Sequence, residues 1–350
     1  MEIVEFARLM FETPALLITV LLVMAVIFVN GWTDAPNAIA TVISTRAMPP
    51  RAAILMAAFF NFLGVTVMTA INVAVADTIF KMVDFGSDSR IAVTALCAAL
   101  VAIVVWATAA WYFGIPTSES HALIAGVTGA AVAITGFSGA INADQWLKVI
   151  YGLLLSTFLG FGSGYVMAKL VAHLFRGVNR RRADRGFGYA QIAGGAAMAF
   201  MHGAQDGQKF IGILMLGILL ARGETVTPGM VIDVSFFVMV LCSLVMGIGT
   251  SIGGYRIIKA VGMDMVKLEK YQGFSADFAA AGCLLLSSLT GIPVSTTHTK
   301  TTAIMGVGAA RRVSMVNWSV VRDMVLTWVL TFPGCGIIGF VMAKLFIRIF

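Results

Sequence analysis

Two stretches of the sequence decide its architecture: FVNGWTDAPNAIA at residues 28–40 and FMHGAQDGQKFIG at residues 200–212. Aligned at an offset of 172 (206 − 34), they share a Phe, a Gly, an Asp and an Ile, and both lie in apolar surroundings. An ionised carboxylate at the centre of a membrane helix costs about 2.5–3.5 kcal/mol. We therefore expect Asp34 and Asp206 to have partners that balance their charge.

A second pair of stretches repeats at nearly the same distance. GIPTSESHALIAGVTG at residues 114–129 matches GIPVSTTHTKTTAIMG at residues 291–306, at an offset of 177 (291 − 114). Two motif pairs with similar offsets, in the same order, indicate a duplicated half.

The composition excludes a water-soluble fold. Charged residues make up 12% of the 350 residues, hydrophobic residues make up 59%, and the mean hydropathy is +0.93. Seven apolar runs are long enough to cross a bilayer, which takes about 20 residues per helix. The positive bias of cytoplasmic loops explains the net charge of +7 without nucleic acid. We predict an all-α polytopic membrane protein.

Four further segments are apolar but interrupted by Gly, Pro and polar residues: 31–46, 115–137, 202–220 and 292–311. Non-helical backbone at membrane depth survives only where protein or a water-filled cavity satisfies its polar groups. Duplicated halves with discontinuous or re-entrant helices are typical of secondary transporters, which bind their substrate near the midplane between inverted repeats. The expected fold is therefore two inverted-topology repeats that meet at a midplane site.

The most hydrophilic stretch divides the chain nearly in half. HLFRGVNRRRADRGFG, at residues 173–188, carries five arginines against one acid, which predicts a cytoplasmic location. The predicted organisation is a first inverted repeat (1–172), a basic cytoplasmic loop (173–188) and a second inverted repeat (189–350). If each half crosses the membrane an odd number of times, both termini lie outside.

The surroundings of Asp34 suit a small cation. Thr33 precedes it and Asn37 follows it by three residues, so one short stretch offers several oxygen ligands. A proton would neutralise the carboxylate equally well. The alternative is that each Asp caps a helix break and binds nothing that is transported.

The duplicated GIP segments suit an anion. Their hydroxyl groups crowd two predicted helix starts, where backbone N–H groups lack intrahelical acceptors. These hydroxyl residues are Ser118, Ser120, Ser295, Thr296 and Thr297. Two such starts facing each other predict a site for a small tetrahedral oxyanion; ordinary N-capping is the alternative.

Histidines recur in the same motifs. His121 and His298 occupy equivalent positions, and a structural role is the favoured interpretation. His202 and Asp206 form an i, i+4 pair that an intramembrane enzyme could use, but the first half has Asn30 in place of His202. The four cysteines show no metal-ligand spacing, and we expect neither a resident metal nor a cofactor.

At these residues the sequence resembles the PiT family of inorganic phosphate transporters, whose halves each carry a signature close to GANDxxNA. NGWTDAPNA (30–38) and HGAQDGQK (202–209) match its Asp and Gly positions. TDAPNAIATVISTRAM (33–48) and NFLGV (61–65) look especially like the low-affinity bacterial members. The resemblance implies a homodimer in the cytoplasmic membrane that imports phosphate together with sodium or protons, also as a divalent metal-phosphate complex. Sulfate import by the same architecture is the runner-up.

The sequence departs from the family signature at three positions. Thr33 and Gln205 stand where Asn is usual, and Lys209 stands opposite Asn37. Lys209 lies one helical turn from Asp206 and could neutralise it. We therefore favour protons over sodium and expect Asp34 to carry the coupling ion.

The resulting site assignment has two sets of residues. The ion-coupling set is Asp34, Asn37, Thr33, Asp206, Gln205 and Lys209. The substrate set consists of the five hydroxyl residues above and Gln208, which lies in the second signature.

Overall fold

The computed structural model describes residues 3–227, 230 and 232–350. This part of the chain is helical, with two isolated β-bridges and no longer strand. The first half contains α1 (Ile3–Glu12), α2 (Pro14–Thr33), α3 (Pro36–Ser44), α4 (Pro50–Ile71), α5 (Ala74–Phe80), α6 (Ser89–Tyr112), α7 (Glu119–Ala140) and α8 (Ala143–Leu174). The second half contains α9 (Arg180–His202), α10 (Gln208–Ala221), α11 (Phe236–Ile252), α12 (Tyr255–Lys259), α13 (Lys270–Leu289), α14 (Thr296–Arg311) and α15 (Trp318–Ile349).

Several of these helices suit a membrane. Among the described residues, six helical segments are long and apolar enough to cross it, with α2 and α3 counted as one. The number is seven if α11 and the bent continuation Tyr255–Asp264 form a single span. The prediction of an all-α polytopic membrane protein is confirmed.

Each of the four interrupted segments departs from a regular α-helix at one point, which is called a break below. Residues 34 and 35 separate α2 from α3, and Pro36, which lacks an N–H to continue α2, begins the new helix. The segment Gly203–Gly207 between α9 and α10 is π-helical. Non-helical backbone at residues 115–118 and 292–295 precedes α7 and α14. The breaks therefore coincide with the duplicated motifs.

The two halves pack in a reciprocal way. Within the halves, α2 packs on α6 and α9 packs on α13. Between the halves, α2 packs on α11 and α9 on α4, while α7 packs on α15 and α14 on α8. A two-fold relation between equivalent helices would produce this pattern of contacts.

The glycines of the two signatures allow these close contacts. A Cβ atom at Gly31 would collide with the carbonyl oxygen of Met246 on α11. A Cβ atom at Gly203 would collide with the carbonyl oxygen of Asn61 on α4. The signature glycine of each half thus lets its broken helix approach the backbone of a helix from the other half.

The basic segment is largely helical rather than a loop. α8 extends to Leu174 and α9 begins at Arg180, so only residues 175–179 separate the two helices. The Asn179 side chain caps α9 by accepting a hydrogen bond from the Arg181 backbone N–H. Arginine is a good helix former, which explains why a polar stretch continues both helices.

Candidate functional site

The four breaks meet at one buried cluster of polar side chains. The Ser295 hydroxyl donates to Ser118 Oγ (2.8 Å) and joins the starts of α14 and α7. The Ser120 hydroxyl lies 3.2 Å from Asp206 Oδ1, on the π-helical segment. The Thr297 hydroxyl donates to Asp34 Oδ1 between α2 and α3. Residues from both halves of the chain therefore form a single site.

Asp206 is the most heavily bonded carboxylate of the cluster. Lys209 Nζ lies 2.7 Å from Asp206 Oδ1, and both side chains are fully buried. Asp206 Oδ2 accepts from Thr296 Oγ1 (3.1 Å) and Asn30 Nδ2 (3.3 Å). Lys209 Nζ also donates to Ser120 Oγ (2.7 Å) and to a backbone carbonyl of residue 294 (2.6 Å). The pair is thus fixed on several sides.

Asp34 accepts fewer hydrogen bonds than Asp206 does. Its Oδ1 accepts from Asn37 Nδ2 (2.7 Å) and from the Thr297 hydroxyl. Its Oδ2 is buried and has no hydrogen-bond partner among the described residues. Neither Lys209 nor any other described basic residue forms an ion pair with Asp34. The charge of Asp34 is therefore open to change in a way that the charge of Asp206 is not.

A third carboxylate, Glu119, belongs to the cluster and was not among the residues predicted from the sequence. It is 2% exposed, its Oε1 contacts the Thr33 hydroxyl, and it is close enough to Asp34 and Asp206 to interact with them electrostatically. An acidic residue inside an apolar segment was the available signal.

The hydroxyl residues predicted to bind an anion serve in part as caps. Ser118 Oγ accepts from the His121 N–H (3.3 Å), and Ser295 Oγ accepts from the His298 N–H (3.1 Å). Ser120, Thr296 and Thr297 instead donate to the carboxylates. The two predicted sets, one for the anion and one for the coupling ion, are therefore interleaved in one cluster.

The side-chain amides of two predicted site residues form hydrogen bonds outside the cluster. Gln205 Nε2 donates to Ser288 Oγ (3.0 Å), and Gln208 Nε2 donates to the Asn72 carbonyl (2.8 Å). Among the described residues, no hydrogen bond joins either glutamine to the carboxylates. The structure thus brings together ten of the twelve predicted residues and leaves these two at its edge.

His202 is oriented by a chain of hydrogen bonds. The Thr250 hydroxyl donates to a backbone carbonyl and accepts from Asn61 Nδ2 (3.1 Å), so Asn61 Oδ1 faces His202 Nδ1 (3.1 Å). This arrangement places the ring hydrogen on Nδ1. The bare Nε2 lies 3.4 Å from Asp206 Oδ2. One ligand atom each from His202, Asp206 and Asp34 lie within 4.8 Å of one another.

The other two histidines stack among aromatic rings. The ring centroids of His121 and His298 are 4.3 Å apart, and His298 lies 3.8 Å from Trp328 of α15. His121 also lies 4.8 Å from Phe332. These contacts fit the structural role that the sequence favours.

A second buried ion pair lies outside the cluster and was also missed from the sequence. Lys300 of α14 pairs with Asp277 of α13, and both are fully buried. Thr41 of α3 donates to both oxygens of Asp277 (2.8 and 2.9 Å), and Gln191 of α9 donates to one of them (2.5 Å). The pair links the two halves of the chain. Charges within apolar segments were again the signal.

The cluster is enclosed in this conformation. A cavity of about 740 Å³ opens beside the basic segment, but it is lined by residues such as Phe175, Arg180 and Lys270 and by no member of the cluster. The carboxylates Asp34, Asp206 and Glu119 are each at most 2% exposed. A substrate would therefore reach them only through a change of conformation, as alternating access requires.

This combination of features defines a class of protein. Broken helices from two similar halves meet at an enclosed cluster of carboxylates, hydroxyls and helix starts, inside a bundle of apolar helices. Such an arrangement is the architecture of a secondary transporter.

Comparison with known proteins identifies the family. Residues 30–339 match the phosphate transporter family, and the chain belongs to it. A "Probable low-affinity inorganic phosphate transporter" of Bacillus subtilis is 37% identical, over 93% of this chain and 96% of its own. A protein of the same name from Rhizobium meliloti is 38% identical, over 89% and 90% of the two chains. The structure of "The sodium-dependent phosphate transporter" shares the fold, with a TM-score of 0.87 over 96% of this chain and all of that one, at 24% identity.

Family membership confirms several predictions. The resemblance stated from the motifs is correct, and the chain is a transporter rather than an enzyme. Its apolar helices and its bacterial relatives indicate a multi-pass protein of the cytoplasmic membrane.

Proposed function

We propose that this chain imports inorganic phosphate together with a coupling cation, a proton rather than sodium. Phosphate is the substrate in the names of the relatives, each a "Probable low-affinity inorganic phosphate transporter". The two helix starts with their hydroxyl groups suit an oxyanion of its size. Sulfate import through the same site is the alternative. An intramembrane enzyme is disfavoured by the family.

The charge balance of the cluster is the observation that carries this proposal. Three carboxylates, Asp34, Asp206 and Glu119, are buried around one lysine, Lys209. With all four ionised the cluster has a charge of −2. Two like charges 4 Å apart repel by about 4 kcal/mol near a protein surface. An anion therefore enters this cluster only together with cations or protons.

The shared hydroxyl groups provide a physical link between the cation and the anion. Thr297 donates to Asp34 in this conformation, so its hydrogen is not available to a bound anion. A cation or proton on Asp34 weakens that hydrogen bond and frees the hydroxyl. Cation binding thus prepares a donor for phosphate, and by linkage phosphate favours cation binding.

The oxygen ligands around Asp34 favour a proton. Four positions of the two signatures, 33, 37, 205 and 209, could supply amide oxygens. None of the four presents an amide oxygen to Asp34 in this conformation. Asn37 turns its amide nitrogen toward Asp34, and Gln205 lies at the edge with its amide nitrogen on Ser288. Thr33 contacts Glu119, and Lys209 is a cation. Sodium needs several neutral oxygen ligands, whereas a proton needs only the carboxylate.

Uptake into liposomes tests the proposal. Purified protein should accumulate labelled phosphate inside the liposomes when the outside is made more acidic than the inside. Replacement of sodium by choline should not change the rate of phosphate uptake. Arsenate should compete and sulfate should not. Strict sodium dependence would reject the proton, and dominant sulfate uptake would reject phosphate as the substrate.

A second candidate is the transport of phosphate as a divalent metal complex. His202 Nε2 and Asp206 Oδ2 are both hydrogen-bond acceptors, yet they face each other at 3.4 Å. A metal ion would satisfy both, with the unpartnered Asp34 Oδ2 as a third ligand. Imidazole with two carboxylates suits a first-row divalent ion, and the hydrogen bond to Asn61 orients the ring as metal-binding histidines require.

Cotransport distinguishes this candidate. Labelled Mn²⁺ should enter liposomes only when phosphate is present if the complex is carried. His202→Asn copies the residue of the first half, Asn30, and should abolish Mn²⁺ entry while phosphate uptake continues. Phosphate uptake that a divalent chelator leaves unchanged would exclude the complex as the required species.

Two further proposals concern assembly. We expect the halves to have inverted topology, since their helices pack reciprocally, and we expect a homodimer, as the family resemblance implies. Cross-linking in native membranes, with the mass of the product measured, tests the dimer.

A further inference from the structure

Glu119 stands where a carboxylate is unexpected. It is the first residue of α7 and follows the cap Ser118, at the point where α7 and α14 begin side by side. Among the described residues it has no basic partner, since the nearby Lys209 Nζ donates to Ser120, to Asp206 and to a backbone carbonyl instead. A negative charge beside a proposed anion site opposes anion binding unless it has a specific role.

The donors of the anion site surround this residue. The first amides of an α-helix have no intrahelical acceptor, and the serine caps satisfy only the third amide of each helix, at His121 and His298. Among the described residues, no hydrogen bond uses the backbone N–H groups of Glu119, Ser120, Thr296 and Thr297. Two positive helix ends and four free amides thus converge here.

One oxygen of Glu119 is a free acceptor. Its Oε1 contacts the Thr33 hydroxyl, which also lies 2.9 Å from the Val29 carbonyl. Asn30 donates to Asp206 (3.3 Å) and also interacts with Glu119, whose buried Oε2 has no partner at hydrogen-bond distance and angle among the described residues. A buried acceptor without a donor is costly, by about 1–3 kcal/mol. The missing donor should therefore come from the ligand.

We propose that Glu119 accepts a hydrogen bond from a hydroxyl group of the bound oxyanion and thereby sets the specificity of the site. This inference rests on the proposed function, and it adds how phosphate is distinguished from sulfate. An ionised carboxylate can only accept hydrogen bonds. Every phosphate or arsenate species at neutral pH keeps at least one hydroxyl, whereas sulfate has none. Sulfate would place a bare oxygen against Glu119.

The surrounding groups make no hydrogen bond to Glu119 Oε2 in this conformation, among the described residues. Asp34 and Asp206 are acceptors themselves, and Lys209 is already bonded to three oxygens. His121 and His298 pack their rings against each other and against aromatic rings of α15. This leaves Oε2 open to a hydroxyl group of the bound anion.

Monofluorophosphate tests the proposal on the unmodified protein. It has the tetrahedral shape and the charge of monohydrogen phosphate, but fluorine replaces the hydroxyl. In liposomes that take up labelled phosphate, arsenate should compete well. Sulfate and monofluorophosphate should compete more weakly by about 10⁴-fold, the discrimination typical of a site built to bind a hydroxyl. Competition by monofluorophosphate equal to that by arsenate would overturn the proposal.

A substitution provides the second arm. Glu119→Gln keeps the shape, removes the charge and adds a donor, so sulfate and monofluorophosphate should then compete within about tenfold of arsenate. Asp144→Asn, at an exposed position in the first turn of α8, should keep the wild-type selectivity. A folded Glu119→Gln protein that still rejects both anions would refute the role of Glu119. Wild-type protein without phosphate uptake would refute the proposed function instead, and the wild-type arm stands if the variant fails to fold.

Discussion

The buried pair of Asp206 and Lys209 makes a sharp prediction about stability. Asp206→Asn removes a carboxylate that accepts hydrogen bonds from Lys209, Ser120, Thr296 and Asn30. The fully buried Lys209 ammonium would then have only neutral acceptors, such as a hydroxyl and a backbone carbonyl. The protein should be markedly less stable because a lone charge is left behind.

The size of the effect follows from the burial of the pair. Removing one member of a buried ion pair costs about 3–5 kcal/mol. At an unfolding entropy of roughly 2.1 cal/mol/K per residue, the 350 residues give about 0.7 kcal/mol/K. The midpoint of thermal unfolding should therefore fall by about 4–7 °C. Adding Lys209→Met removes the unpaired charge, and part of this loss should be recovered.

The assay is thermal unfolding in detergent, followed by the fraction of protein that stays monodisperse after heating. The matched control is Asp77→Asn, which breaks the pair of Asp77 and Lys81 (2.8 Å) on α5, where the side chains are 29% and 17% exposed. A pair that reaches solvent is worth at most about 1 kcal/mol, so this control should shift the midpoint by about 1 °C.

Two results would refute the reasoning about this pair. Equal midpoints for Asp206→Asn and the wild type would show that the pair does not hold the site together. A double variant that is no more stable than Asp206→Asn would show that the unpaired Lys209 is not the source of the loss. An Asp206→Asn protein that folds well but fails to couple would move the coupling role to Asp206.

Three further predictions follow from the geometry of the site and the ends of the helices. Asp34→Asn should abolish concentrative uptake in liposomes but preserve some exchange of phosphate for phosphate, because its charge can no longer change; concentrative uptake by this variant would contradict the assignment. Ser118→Ala with Ser295→Ala should weaken phosphate binding in detergent more than tenfold, the cost of a lost hydrogen bond to a charged group, and unchanged binding would remove both serines from the site. A cysteine at Val178, exposed between α8 and α9, should react with an impermeant thiol reagent only in opened cells; labelling of intact cells would reverse the topology.

The sequence predicts the position of the site well because a membrane strongly disfavours the charged residues and helix breaks that form it. Carboxylates and helix breaks are costly inside a membrane, so their duplication at Asp34 and Asp206 indicates function. The same reasoning applies to Glu119, Asp277 and Lys300, whose charges also lie in apolar segments. Their partners could not be predicted, because the contacts come from helices far apart in the chain.

Alignment of the two motifs does not predict the direction in which each side chain points. Gln205 lies in the π-helical segment 203–207, and Gln208 follows it directly. A π-helical turn holds more residues than an α-helical turn, so it changes the direction in which the following side chains point. Thr33 and Gln205 align in the two signatures, yet Thr33 contacts Glu119 whereas Gln205 bonds to Ser288.

The difference between the two halves gives the proposed coupling a structural basis. A perfectly symmetric site would hold two equivalent carboxylates, and neither would be favoured to change its charge. Lys209 removes this equivalence, because its ammonium group is tied to Asp206 while Asp34 keeps one oxygen without a partner. The hydroxyl donors are divided in the same way, since Thr296 donates to Asp206 and Thr297 donates to Asp34. Under the proposed mechanism, neutralising Asp34 would free the Thr297 hydroxyl at the start of α14 while Asp206 and Lys209 keep the rest of the site in place. The anion would then bind best when the coupling ion is already there.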